Sequence, residues 1–197
     1  MSYRPDTPTG LKPKDLIGVA WMLAMALQLD GWYLRSDIIW YKPNCQPESV
    51  KDRVTVSHEY LFMLSKSENY YFDQESIKER TADGKSQKNK RTVWQINTEP
   101  CKEAHFAVFP RSLVRPCILA GAPKGGFVLD PFFGSGTVGV VAIEEGRGCV
   151  GVELKSQYIE IAKQRLMAVT PPLKPNLAAE CQTAKRRETC TNPSLDF

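Results

Sequence analysis

Apolar residues recur at the helical interval at Leu16, Val19, Ala20, Leu23 and Leu27, with Pro13 ahead of them and Gly31 just past Leu29. That spacing predicts a helix from Leu16 to Leu29, and Trp21 and Met25 thicken its apolar face into a buried one. Leu34 to Trp40 reads as a strand, halted by Lys42-Pro43-Asn44. Tyr60 to Leu64 and Tyr70 to Phe72 read as two more, joined as a hairpin across Lys66-Ser67-Glu68-Asn69. Arg91 to Ile96 predicts a short strand. Phe109-Pro110 then opens a helix through Leu113, Val114, Cys117, Ile118 and Leu119, which Gly121 and the turn Pro123-Lys124-Gly125-Gly126 end.

Further on, a buried strand at Phe127 to Leu129 runs into a glycine-rich turn. A helix from about Thr137 to Glu145, a strand at Cys149 to Val152 and a helix from Gln157 to Met167 follow. Strands alternating with helices in this way argue an α/β fold, a parallel sheet with helices on both faces. Residues 1–10 are polar and rich in Pro and Thr, a flexible lead-in; residues 11–169 are expected to form one domain, and residues 170–197 a disordered tail. No internal repeat is visible.

Composition adds little to this picture. The 197 residues are 42% hydrophobic and 24% charged, enough to bury one sizeable core. No run approaches the roughly 18 apolar residues of a membrane span, and no secretory segment opens the chain, so a soluble intracellular protein is expected. Cys45, Cys101, Cys117, Cys149, Cys181 and Cys190 are scattered, and His58 and His105 are the only imidazoles. Neither a zinc site nor a disulfide framework is signalled, and the cysteines are expected to be reduced thiols. A net charge of +4 fits nucleic acid without requiring it. Its distribution says more: Lys78, Arg80, Lys85, Lys88, Lys90 and Arg91 crowd one stretch among Gly, Ser, Gln and Asn. That composition describes a solvated loop able to meet phosphates, or an ordinary exposed one.

The most informative segment is Asp130-Pro131-Phe132-Phe133-Gly134-Ser135-Gly136-Thr137, where a buried strand enters a glycine loop and then a helix. Glycines there let backbone approach a ligand closely, and the helix start offers unpaired N–H groups. Gly134-x-Gly136-x-x-Gly139 also spells the dinucleotide fingerprint, which leaves a dinucleotide-dependent oxidoreductase as an alternative. Two carboxylates argue against a pyrophosphate. Asp130, at a strand end, would repel phosphates but suit a cationic methionyl group, and Glu153, just after the next strand, can accept both hydroxyls of a ribose.

The octapeptide from Asp130 to Thr137, followed by Gly151-Val152-Glu153 and by Tyr158 to Arg165, resembles the cofactor motifs of the adenine-N6 and cytosine-N4 DNA methyltransferases. His105 to Leu113 resembles the motif that closes over the cofactor in that family, and its place upstream of the glycine loop matches the permuted subgroup, in which the catalytic half comes first. Leu11 to Gly18, Asp37 to Asn44 and His58 to Lys66 resemble segments of that upstream half. The resemblance implies a Rossmann-like sheet that binds S-adenosylmethionine through Asp130, Phe132, Gly134, Ser135, Gly136, Thr137 and Glu153, with Phe109 and Pro110 packed nearby. It implies double-stranded DNA as partner and a prokaryotic or phage-encoded, cytoplasmic protein. Target recognition would lie at about 74–100, making Lys85, Lys88, Lys90 and Arg91 candidate phosphate contacts. Tyr41, Lys42 and Asn44 follow a strand end, where they could approach a flipped base or its phosphate, or simply turn the chain. His58 and Glu59 read as a packed strand start.

One expected element is missing from these residues. Methylating an exocyclic amine is hard because its lone pair is delocalised into the ring. The family answers with Asp, Asn or Ser, then Pro-Pro, then an aromatic, so that oxygens hold the amine and the aromatic stacks on an extruded base. No such tetrapeptide occurs; Thr170-Pro171-Pro172-Leu173 lacks the aromatic, and no catalytic residue is assigned. The sheet is therefore expected to be incomplete, without its central catalytic strand. Another strand moves in, an upstream polypeptide supplies it, or the chain is a shortened remnant. The function implied is methyl transfer to the amino nitrogen of adenine or cytosine, with a non-catalytic binding module or partner subunit as the alternative.

Overall fold

The computed structural model describes residues 8–99 and 109–169. The expectations for residues 1–7 of the lead-in and for the tail from residue 170 lie outside the described residues.

Helix α1 spans Val19–Leu29, three residues shorter than its apolar period predicts. Asp15 closes a turn on Lys12, and Gly18 sits at φ 71, a left-handed conformation from which the helix starts afresh. Strand β1 (Tyr33–Tyr41) pairs antiparallel with β2 (His58–Ser65), from Tyr33 opposite Ser65 to Tyr41 opposite His58, with the register shifting by one residue between Leu34 and Ser36. The predicted hairpin between Tyr60 to Leu64 and Tyr70 to Phe72 is therefore wrong. The partner of β2 lies earlier in the chain, and after Asn69 the backbone leaves the sheet to bond the end of a helix, Asp73 N–H to Ala120 C=O at 2.9 Å. Trp21 of α1 packs edge-on against Tyr60 and Phe62 on one face of this sheet.

The basic stretch is not the open loop its composition predicts. Glu79–Arg80 (β3) and Gln87–Lys88 (β4) pair antiparallel, because Thr81 and Asp83 close the turn between them by accepting the Ser86 and Lys85 N–H groups. The chain then returns as β5 (Val93–Gln95), parallel to the upper end of β1, with Ile39, Trp40 and Tyr41 opposite Val93, Trp94 and Gln95.

The second half follows the predicted order closely. Helix α2 (Arg111–Gly121) precedes β6 (Phe127–Asp130), α3 (Thr137–Glu144), β7 (Gly148–Gly151) and α4 (Ser156–Val169). Strands β6 and β7 are parallel, Phe127 opposite Gly148 and Asp130 opposite Gly151.

Helix α2 belongs to two cores at once. Its Val114 and Ile118 pack with Val141 and Ala142 of α3, backed by Val128 and Cys149. Its Leu113 joins Trp40 and Trp94, backed by Ile38, Leu61 and Ile96. Arg111 and Arg115 add ion pairs to Glu144 and Glu145 of α3 at 2.6–2.8 Å. These are part-exposed and contribute little beside the buried apolar contacts.

The single sheet that the pattern implied is divided among the described residues into three, β2-β1-β5, β3-β4 and β6-β7. A cleft of about 560 Å³ separates β6 from the first of them. Phe127 and Val128 line one side, Trp40 and Leu61 the other, and Leu113 and Cys117 of α2 lie along it.

Candidate functional site

Parallel pairing in register carries the C-terminal ends of β6 and β7 to the same edge, and with them Asp130 and, two residues past β7, Glu153. The Asp130 carbonyl accepts Val152 N–H and the Val152 carbonyl accepts Phe133 N–H, each at 2.9 Å, so the ladder runs on beyond both strands into the glycine loop. One Asp130 carboxylate oxygen accepts Phe132 N–H at 3.0 Å. Glu153 accepts three backbone N–H groups, from Gly134 to one oxygen and from Leu154 and Lys155 to the other, all at 2.9 Å. These bonds, led by that from Lys155, hold its pKa below the ordinary glutamate value. A carboxylate offers about four acceptor positions, so capacity remains for a ligand hydroxyl. Beside the acids stand Phe132 and Leu154, 90% and 96% exposed. Large apolar side chains left in water next to two carboxylates mark a surface that a part-apolar ligand can cover.

The glycines divide their work in a way the motif did not reveal. Gly134 and Gly136 both take left-handed angles, φ 52 and 79. Gly134 faces open space. At Gly136 a side chain would come within 3.0 Å of Ala162 on α4, and at Gly139 within 2.7 Å of the Phe133 ring. At Gly151 it would overlap that ring outright. Only Gly134 is thus free for close approach by a ligand, while Gly136, Gly139 and Gly151 make room for α4 and for Phe133, whose ring lies behind the loop.

Ser135 and Thr137 are buried, 5% and 6% exposed, and their hydroxyls turn inward to Arg165 of α4. Pro110 is buried as the N-terminal flank of α2, and Phe109 lines the cleft beside Phe127 and Val128.

The expected DNA contacts are scattered. Lys42 is engaged, its ammonium 2.7 Å from Glu59 and above the Trp40 ring. Asn44 clamps Thr98 through both its amide groups, at 3.2 and 2.9 Å, so this loop is held by a residue far along the chain. Lys88 lies in the β3-β4 hairpin opposite Glu79, Arg91 reaches Glu79 at 3.4 Å, and Lys90 stands over the Trp94 ring. Lys85, at the exposed hairpin tip, has the freest reach of the four. His58 and Glu59 begin β2.

Sequence reasoning gave Phe133 and Arg165 no role. A signal for Arg165 existed: it follows Tyr158 and Ala162 at helical spacing, a cation set into the inward stripe of α4.

The candidate site is thus a parallel strand pair with carboxylates at adjacent ends around a glycine loop. The family model for N6 and N4 DNA methylases matches residues 7–164, and the chain belongs to that family. It is 67% identical over 168 residues to the type II methyltransferase M.SmaI of Serratia marcescens, a match covering 85% of this chain and 58% of the relative. It is 63% identical over 166 residues to M.Cfr9I of Citrobacter freundii, covering 84% of this chain and 55% of the relative. The chain thus spans a little over half the length of these relatives. Among solved structures, the cytosine-N4-specific PvuII DNA methyltransferase superposes with TM-score 0.66 at 23% identity, over 91% of this chain and 64% of that one. The M1.HpyAVI complex with S-adenosylmethionine superposes with TM-score 0.60 at 24% identity, over 77% and 71%. At such identities the likeness is one of fold.

Proposed function

We propose that this chain is the cofactor-binding and DNA-facing part of a methyltransferase that acts on the amino nitrogen of adenine or cytosine in double-stranded DNA, in a bacterial cytoplasm. The observation that carries the reading is the convergence of Asp130 and Glu153 around an outward-facing Gly134. S-adenosylmethionine, when bound, supplies an electrophilic methyl on a sulfonium. The donor set fits it: Asp130 takes the cationic end, Glu153 accepts ribose hydroxyls, Phe132 covers apolar surface, and the backbone from Gly134 to Thr137 lies against the ligand. Phe109 and Pro110 close its flank. Lys85, Lys88, Lys90 and Arg91 meet phosphates, with Lys42 and Asn44 shaping the loop beneath.

Activity further requires a strand bearing the Pro-Pro tetrapeptide, supplied by a polypeptide segment outside these 197 residues, and the cleft between β6 and β1 is where it enters. Three features support this. The first is the division between the two sheets. The second is that Phe127 and Leu129 of β6 stay 76% and 66% exposed. The third is that the residues of α1 not facing the sheet, among them Val19, Met22 and Leu23, are apolar and exposed, on a helix with no charged residue. A helix apolar on nearly every side, with Gln28 its one polar residue, belongs in an interior.

Two measurements test the reading. S-adenosylmethionine should raise the melting temperature and NAD should not; the reverse would favour an oxidoreductase. Labelled methyl transfer to mixed-sequence duplex DNA should be near background for the chain alone. It should appear when a polypeptide carrying the upstream strand and an Asp-Pro-Pro-Tyr motif is co-expressed. Robust transfer by the chain alone would show that the catalytic site has been misplaced. Silence in both, with the polypeptide bound, would favour the second reading suggested by the missing tetrapeptide, a binding module without catalysis.

A further inference from the structure

The structure assigns Arg165 a positioning role: from α4 it holds the glycine loop in the shape that receives the cofactor, an inference resting on the cofactor reading above. One guanidinium nitrogen donates to the Ser135 carbonyl and to the Ser135 hydroxyl, each at 2.7 Å, and to the Thr137 hydroxyl at 3.3 Å. A single side chain thus meets both buried hydroxyls of the loop. The two ends of the loop are tied elsewhere, Gly134 to Glu153 and Gly136 to the Phe133 carbonyl. Between them, Ser135 is fixed from α4.

The need for such a tie follows from the sequence of the loop. Two glycines at left-handed φ, separated by one residue, give this segment a wide choice of accessible conformations. A ligand that has to order them loses affinity by that cost, and hydrogen bonds made beforehand remove it. Arginine suits the task because it is always charged and one terminal nitrogen, with its two N–H groups, reaches the carbonyl and the Ser135 hydroxyl closely and shares a longer contact with the Thr137 hydroxyl. Packing of the helix against the loop, with Ala162 beneath Gly136, sets the distance from which Arg165 reaches. Arg165 touches no ligand surface in this scheme and acts through Ser135 and Thr137.

The test compares Arg165→Met, Arg165→Lys and a control, Arg115→Met, in the full chain. The control breaks the ion pairs between α2 and α3 and leaves the loop alone. Affinity for S-adenosylhomocysteine is measured by calorimetry at a temperature where circular dichroism shows every variant folded, and amide exchange is read at Gly134 to Thr137. Arg165→Met should weaken binding roughly 10-fold or more, the scale of hydrogen bonds to a charged group. Arg165→Lys should recover part of that affinity, Arg115→Met should bind as wild type, and loop exchange should quicken only in the Arg165 variants. Wild-type affinity in Arg165→Met, or equal weakening in the control, would overturn the role. If the wild type itself fails to bind, the cofactor reading falls, and unchanged loop exchange in Arg165→Met would still separately refute the positioning.

Discussion

Glu153 accepts the Gly134 N–H at 2.9 Å, a bond between a residue two positions past one strand and the first glycine of the loop that leaves the other. It makes the carboxylate a part of the loop, and in the proposed cofactor site a wall as well. Removing it should therefore affect loop geometry and ligand binding together. Glu153→Ala is expected to weaken S-adenosylhomocysteine binding roughly 10- to 100-fold, the range for removing hydrogen bonds to a charged group. Isothermal calorimetry checks this, and unchanged affinity would remove Glu153 from the site.

The same three N–H bonds hold the Glu153 pKa below 4.5, its ordinary value. A carboxylate whose folded pKa is depressed stabilises the fold fully above its unfolded pKa and loses that contribution as pH falls through the folded one. The melting-temperature difference between wild type and Glu153→Gln should thus be constant from about pH 7 to about pH 5, then shrink as the pH falls below the ordinary glutamate range. A difference that instead grows on acidification would contradict the assigned bonds.

Among the basic residues, structure separates reach from anchorage. Lys85 projects from the hairpin tip, whereas Lys90 rests on Trp94 and Lys88 is half-buried opposite Glu79. Replacing Lys85, Lys88 and Lys90 with Gln should flatten the dependence of log affinity for duplex DNA on log salt, by about 0.9 for each phosphate no longer neutralised. Lys85→Gln should account for the largest single share. An identical slope in the triple variant would return the hairpin to an ordinary exposed turn.

Phe133 supplies a packing test. A methyl group at Gly151 would overlap its ring, and one at Gly139 would stand 2.7 Å from it. Overfilling a packed site costs about 1 to 3 kcal/mol, occasionally more. Gly151→Ala should lower stability in urea titration by at least that, and Phe133→Leu in the same chain should restore part of it. Gly134→Ala, which has open space around it but a left-handed φ, should cost less, about 1 kcal/mol.

The order of elements from α2 to α4, the glycine loop and the two acids were legible in the sequence, because each is written in local terms. Apolar alternation, helical period and turn residues act over a few positions, and β6, α3, β7 and α4 all fall within two residues of where the pattern puts their ends. Long-range pairing was not legible. Tyr60 to Leu64 and Tyr70 to Phe72 look alike as strands, yet only the first finds a partner, and that partner is β1, because a register depends on which edge is open when the chain arrives. Composition made the stretch from Lys78 to Arg91 a loop, while the turn at Thr81 and Asp83 made it a hairpin. Most consequentially, the motif showed glycines and hydroxyls without their directions. Whether Gly136, Ser135 and Thr137 face a ligand or the interior was decided by α4, whose Ala162 and Arg165 come against the loop from the other end of the motif region. Sequence period fixes which residues share a face of one element, but only packing between elements determines what that face meets.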